Sequence, residues 1–193
     1  MIYGERIRLR HVEREDLPHF VNWLNDPEVR YGLALYLPLS SAEEENWFEE
    51  LLKRTRDEQP LVIEVRGEAG WTMIGNSGFF RFDWRNRSAE LGILIGDKAY
   101  WNQGYGTETM RLLLRHGFET LNLHRIFLRV FENNPRAIRA YEKAGFVHEG
   151  RMRQAEYQDG QYWDVLLMSV LSTEWRSNAR KGGELNDIVE IST

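Results

Sequence analysis

At 193 residues, with 42% hydrophobic and 28% charged residues, the chain has material for one globular core, which excludes a disordered or fibrous protein. Its formal charge of −5 excludes a nucleic-acid binder that relies on a broad basic face and leans toward a cationic substrate. With no cysteine there are no disulfides, no thiolate nucleophile and no thiolate metal site, and a reducing cytoplasm suits the chain. Residues 1–6 carry no apolar stretch of signal-peptide length, and no run nears the roughly 18 apolar residues of a membrane span, so a cytoplasmic protein without a membrane partner is expected. The histidines, at 11, 19, 116, 124 and 148, lack ligand spacing and predict no metal site.

Alternation over residues 6–10 predicts a first strand. Glu15 and Asp16 then open a helix with Leu17, Phe20, Val21 and Leu24 on one face, and Asn25-Asp26-Pro27 stops it. Ser40 and Ser41 stand three residues before Glu43 and Glu44, a capping-box signature that starts a second helix with Trp47, Phe48, Leu51 and Leu52 inward. Residues 28–38 between these helices are irregular and aromatic, either a loop packed on the core or one wall of a substrate cleft.

From residue 60 the period switches to two. A strand at 61–65, a glycine turn at 67–70 and a return strand at 72–82 form a hairpin, with Gly75 and Gly78 marking bends or bulges. Residues 84–87 turn again into a strand at 88–96. A helix over 105–121 places Met110, Leu113, Leu114, Phe118 and Leu121 on one face. After a strand at 124–131, Asn134-Pro135 caps a short helix that closes at Gly145. A strand from 146, an Asp159-Gly160 hairpin and a strand at 162–171 follow. One domain over 1–176 with a mobile polar tail at 177–193 is the expected organisation.

The stretch that organises the chain is Tyr100-Trp101-Asn102-Gln103-Gly104-Tyr105-Gly106-Thr107-Glu108, between a strand and a helix. Strand, glycine loop and helix together present unpaired backbone N–H groups and the positive end of the helix dipole to an anion. Gly104 and Gly106 would let a phosphate approach the backbone, although an ordinary strand-to-helix turn also uses glycines. No Gly-Lys-Ser/Thr follows, which excludes a P-loop, and the third glycine of a dinucleotide fingerprint is missing.

The order β-α-α-β-β-β-loop-α-β-α-β-β resembles the GNAT N-acetyltransferase superfamily, and most of all its branch of ribosomal-protein N-terminal (RimJ/RimL-type) and spermidine acetyltransferases. The resemblance runs from about residue 5 to 172. It rests on Ile7-Arg8-Leu9-Arg10, residues 23–29 (Trp-Leu-Asn-Asp-Pro-Glu-Val), Ala89-Glu90-Leu91-Gly92, the glycine loop, Asn133-Asn134-Pro135-Arg136-Ala137, residues 141–146 and Glu149-Gly150. One position departs: Trp101 stands where most of the superfamily has Arg or Gln.

The resemblance implies an α+β fold in which a central, mixed, mostly antiparallel twisted sheet is flanked by about four helices and its fourth and fifth strands splay apart. It implies acetyl-CoA as cosubstrate and direct transfer to a primary amine. The diphosphate would sit on amides around Trp101, Asn102, Gln103, Gly104, Tyr105, Gly106 and Thr107, and the pantetheine arm beside Ile93, Leu94 and Ile95. Asn134 would orient that arm and Tyr141 would be the general acid. Arg136, Arg139 and Lys143 would meet the 3′-phosphate or form a wet helix face. Glu90 is the expected base, with a solvated or ion-paired glutamate and a water chain as the alternatives. Tyr31, Tyr36, Trp47 and Phe80 are the candidate acceptor contacts.

The acceptor is read as a protein or peptide α-amine, with a polyamine or other small amine second. Glu43, Glu44, Glu45, Glu49 and Glu50 could serve a polyamine, although helix capping explains most of them. A CoA-binding module without activity is the remaining alternative, and a homodimer through the C-terminal strands is the partner such folds suggest.

Overall fold

The structure, a computed structural model, describes residues 1–181 apart from residue 69, with side chains as far as Ser177. Eight strands form one sheet: β1 (Ile2–Tyr3), β2 (Ile7–His11), β3 (Leu61–Gly67), β4 (Gly70–Asp83), β5 (Ser88–Ile95), β6 (Arg125–Phe131), β7 (Val147–Gln158) and β8 (Gln161–Leu171). Their spatial order is β1-β2-β3-β4-β5-β6-β8-β7, antiparallel throughout except for the β5–β6 pair. Six helices lie on the sheet among the described residues: α1 (Leu17–Asn25), α2 (Pro27–Arg30), α3 (Ser41–Leu51), α4 (Tyr105–Arg115), α5 (Pro135–Ala144) and α6 (Ser172–Lys181). None of the described helices is long and apolar enough to cross a membrane.

Strand alternation divides the sheet into two faces. One buries Ile7, Leu9, Ile63, Ala89, Leu91, Ile126, Leu128, Val130 and Met168 against Met110, Leu113 and Leu114 of α4 and Tyr141 of α5. Each fully buried aliphatic side chain there contributes about 1.5–3 kcal/mol, and the one cluster joins α4 and α5 to strands from both halves of the sheet. On the other face a smaller cluster packs Val12, Leu17, Phe20, Phe48, Leu51 and Val62 under α1 and α3.

The arginines that alternate with Ile7 and Leu9 are explained by that second face. Glu64, 6% exposed, accepts from Arg8 and from Arg10 Nε at 2.9 Å, and Arg10 forks onto Asp16 at 2.7 and 2.8 Å. Partly buried charges are tolerable here because each is paired.

Six details depart from the sequence reading. A short strand, β1, precedes the first predicted one, and Pro27 starts a one-turn helix, capped by Asp26, inside the segment read as irregular. With α6 added, the helices number six instead of about four. Leu52 is 54% exposed because α3 ends at Leu51. Gly78 marks a close approach to Pro60 instead of a bulge; the β4 irregularities lie beside Gly75 and between Phe80 and Asp83. Residues 177–181 belong to α6, so the predicted tail begins too early; residues 182–193 lie outside the described residues.

Of the two serines in the capping signature, Ser40 is the N-cap, exchanging hydrogen bonds with Glu43. The next residue, Glu44, is carried to the inner side of α3 and is 5% exposed, and desolvation pushes its carboxyl up to about 7. A folded-state value above the unfolded one means that Glu44 costs no stability at acid pH and destabilises the fold increasingly as pH rises from about 4.5 to 7. Glu44→Gln should therefore stabilise the protein by on the order of 1–2 kcal/mol at pH 8 and by almost nothing at pH 4, measured by urea unfolding at both pH values.

Candidate active site

β5 and β6 are hydrogen-bonded partners only over Ser88–Glu90 and Arg125–Phe127. Beyond Glu90 the strands part, although β5 stays paired to β4 as far as Ile95 and β6 to β8 as far as Phe131. A cavity of about 590 Å³ fills the gap and is lined by Ile93, Leu94 and Ile95 from one side and Arg129, Val130 and Phe131 from the other. The β6-facing edge of β5 beyond Glu90 thus has no strand partner and can pair with an extended ligand.

At one end of the cavity lies the start of α4. Gly104 is its N-cap at φ 87°, a left-handed conformation that favours glycine. The first helical bond runs from the Glu108 N–H to the Gly104 carbonyl at 3.0 Å, which leaves the amides of Tyr105, Gly106 and Thr107 without a helical acceptor. A Cβ on Gly106 would meet nothing within 4 Å, so the approach to these amides is open. From behind, Arg6 fixes the loop: its backbone N–H and Nε each reach Glu108 at 2.8 Å, and Nη1 reaches the Gln103 carbonyl at 3.1 Å.

Trp101 has a structural part in the same loop. Its Nε1–H donates to the Ile95 carbonyl at 2.7 Å, closing the end of β5, and the Arg136 guanidinium stacks 3.4 Å from its ring centroid. Burial pushes the Arg136 guanidinium down from its ordinary range. Arg139 and Lys143, from the same helix, also line the cavity and add two positive charges.

Asn134 caps α5 by accepting from the Ala137 N–H at 3.1 Å, and Gly32 of the 27–38 segment lies against its side chain. A Cβ on Gly32 would stand 2.3 Å from Asn134 Nδ2, so a larger residue there would displace the Asn134 amide. Tyr141 lines the cavity yet is 7% exposed, and desolvation, opposed by the Arg136 charge, pushes its phenol up to about 12. It is a neutral hydroxyl at any physiological pH.

The opposite end holds Glu90 and Arg129. Glu90 is 3% exposed, and its two oxygens accept separately from Arg81 Nη1 and Arg129 Nε, each at 2.8 Å.

Among the residues singled out in the sequence, Glu90, Ile93, Leu94, Ile95, Trp101, Asn102, Gly104, Tyr105, Gly106, Thr107, Asn134, Arg136 and Tyr141 converge on this cavity. Gln103 does not line it, because its side chain folds back onto the Ala99 carbonyl at 2.6 Å. The four aromatic acceptor candidates do not line it either. Trp47 packs edge-on against Phe20 under the sheet, Tyr36 is 85% exposed, Tyr31 is exposed, and Phe80 lies beside Gly92 at the rim. The 28–38 segment is nonetheless a cleft wall, built from Val29, Gly32, Leu33 and Ala34. Arg129 and Glu156 went unnoticed in the sequence, where nothing sets them apart from other strand charges.

A strand pair opened beside helix-start amides fits a long, phosphorylated, partly peptide-like ligand. The model of the acetyltransferase (GNAT) domain matches residues 6–147. The chain belongs to the GNAT acetyltransferase family. It is an acetyl-CoA-dependent N-acetyltransferase.

Among its relatives, spermidine N(1)-acetyltransferase from Vibrio cholerae is 32% identical over 175 residues, covering 89% of this chain and 96% of the relative. An uncharacterized N-acetyltransferase, p20, from Bacillus licheniformis is 28% identical over 183 residues, covering 90% and 97%. The crystal structure of the Vibrio cholerae spermidine N-acetyltransferase with CoA and spermine aligns with a TM-score of 0.81 at 28% identity, covering 90% of this chain and 99% of that one.

The open space at Gly106 supplies a direct test of the amide cradle. Gly106→Leu should fold as the wild type does, since a Cβ there meets no protein atom within 4 Å. It should weaken acetyl-CoA binding about tenfold or more by calorimetry, because the side chain would occupy the approach to the amides.

Proposed function

We propose that this acetyltransferase acts on a single primary amine, the α-amine of a protein or peptide N-terminus. The observation that carries the reading is the state of Glu90. Clamped by Arg81 and Arg129, it forms a group of net positive charge and adds no free carboxylate to the acceptor end. A polyamine carries several ammonium groups and needs several unpaired carboxylates to replace their hydration. One amine on an otherwise uncharged segment needs far less. An α-amine also ionises near 7.7–8.0, against about 10.4 for an alkyl ammonium, so a useful fraction is already nucleophilic at neutral pH.

In this reading acetyl-CoA supplies the activated acyl group, and the residues of the chain bind, orient and move protons. The amides of Tyr105, Gly106 and Thr107 receive the diphosphate, with Arg136, Arg139 and Lys143 adding positive charge. The free edge of β5 at Ile93–Ile95 bonds the arm as an added strand would. Asn134 Nδ2 orients that arm, and Tyr141 Oη donates its proton to the departing sulfur. With no cysteine in the chain, attack on the acyl carbon comes from the amine itself. Glu90 was the expected base; with a guanidinium donor on each oxygen it is better suited to holding Arg129, and the proton of the amine leaves through water.

A polyamine acceptor is the second reading, and the spermidine acetyltransferases among the relatives favour it. A CoA-release assay across N-terminal peptides, polyamines and aminoglycosides decides between them. We expect kcat/KM for a peptide to exceed that for spermidine at least tenfold; the reverse order would establish the polyamine reading. Acetyl-CoA binding with no amine acetylated would overturn both.

The acid is tested separately. Tyr141→Phe should lower kcat about 100-fold, within the range of general-acid contributions, while acetyl-CoA affinity stays within about twofold. Because the phenol titrates near 12, wild-type kcat should show no loss from its ionisation up to pH 10.

A further inference from the structure

We infer that Glu156 is the carboxylate that receives the ammonium group of the acceptor. The inference deepens the proposed function and rests on the same cavity, but it applies to whichever amine the enzyme acetylates. Among the described residues two carboxylates line the cavity, Glu90 and Glu156. Glu90 is occupied twice over, as described. Glu156 makes no ion pair and no side-chain hydrogen bond among the described residues, and it does not take even the buried, unpartnered indole N–H of its cross-strand neighbour Trp163. It is therefore the cavity's one lining carboxylate with its charge uncommitted.

Register places it on the acceptor side. Glu90 pairs with Phe127, Arg129 and Phe131 follow on the same face of β6, and Phe131 stands opposite Val165. Val165 and Trp163 alternate onto that face of β8, and Glu156 stands opposite Trp163. Glu90, Arg129, Phe131, Val165 and Glu156 thus share the sheet face turned away from α4 and α5. An amine entering from this face meets Glu156, while the coenzyme amides and Tyr141 lie at the α4–α5 side.

The position is built, not incidental. Between the Met152–Val165 and Glu156–Trp163 pairs, three residues of β7 stand against the single residue Asp164 of β8. In an unbroken ladder Gln154 would stand opposite Trp163. The irregularity is pinned: Asp164 accepts from the Gln154 N–H and from Arg151 Nη1, both at 2.8 Å, and donates its own N–H to Glu132 at 3.0 Å. Gln154 takes a left-handed φ of 50° to allow it. The displaced register brings a carboxylate to the acceptor end in place of a neutral amide.

The test uses the full-length enzyme and whichever amine it acetylates best. E156Q should raise the KM for that amine about tenfold or more, with kcat and the KM for acetyl-CoA within about threefold of wild type. The wild-type amine KM should also rise with added NaCl, a dependence that E156Q loses, and E156D should fall between the two. An amine KM within twofold of wild type in E156Q, or parallel rises for amine and acetyl-CoA, would overturn the assignment. If spermidine proves the preferred amine, the α-amine reading fails while Glu156 is still judged on spermidine.

Discussion

The three-rung pairing between β5 and β6 is the constraint on which the site depends. Each strand is satisfied on its outer edge, β5 by β4 and β6 by β8, so neither needs the other to stay ordered. Their facing edges can therefore remain open, which a sheet held by continuous pairing would not allow. The remaining cohesion comes from the shared core, in which Met110, Leu113 and Leu114 of α4 belong to one buried cluster with side chains from both halves. Without that helix the parting would be an unprotected pair of edges, a liability in any sheet. With it, the parting is a cavity of about 590 Å³.

The slot separates two electrostatic problems. At the α4 end the unpaired amides and Arg136 offer positive potential to an anionic coenzyme, and Arg136 is kept in place by its stack on Trp101. The same indole closes β5 through the Ile95 carbonyl, so one side chain sets the end of the strand and the seat of the arginine. Across the sheet Glu90 is held between Arg81 and Arg129, and Glu156 makes no ion pair among the described residues. Tyr141 stands between these environments as a buried neutral hydroxyl, and burial extends its protonated range by pushing the phenol up to about 12.

Much of the fold was legible in the sequence because it is written in local signals. Period-two alternation marked the strands, Ser40 with Glu43 marked a helix start, and Asn134-Pro135 with Gly145 bracketed α5. The coenzyme end of the site was legible for the same reason: loop, cap and helix face are contiguous in the chain. The acceptor end was not. The four aromatic candidates, Tyr31, Tyr36, Trp47 and Phe80, were chosen for residue type, but whether they face the cavity depends on how α1, α3 and the 27–38 segment settle on the sheet. Val29, Gly32, Leu33 and Ala34 do the lining instead, with Gly32 in close approach to the Asn134 side chain.

Glu90 shows the same limit from the other side. Its place in a strand beside the slot could be read from alternation, yet its chemistry is decided by Arg81, which precedes it by nine residues, and Arg129, which follows by 39. Arg81 lies where the β4–β5 ladder slips between Phe80 and Asp83, itself at a φ of 53°. Glu156 likewise owes its position to a ladder irregularity. In both places a carboxylate's role is set by a break in pairing, and a break of that kind leaves no mark in the hydrophobic pattern. The regular parts of this sheet hold the coenzyme slot open, and its irregular parts decide which charges the acceptor meets.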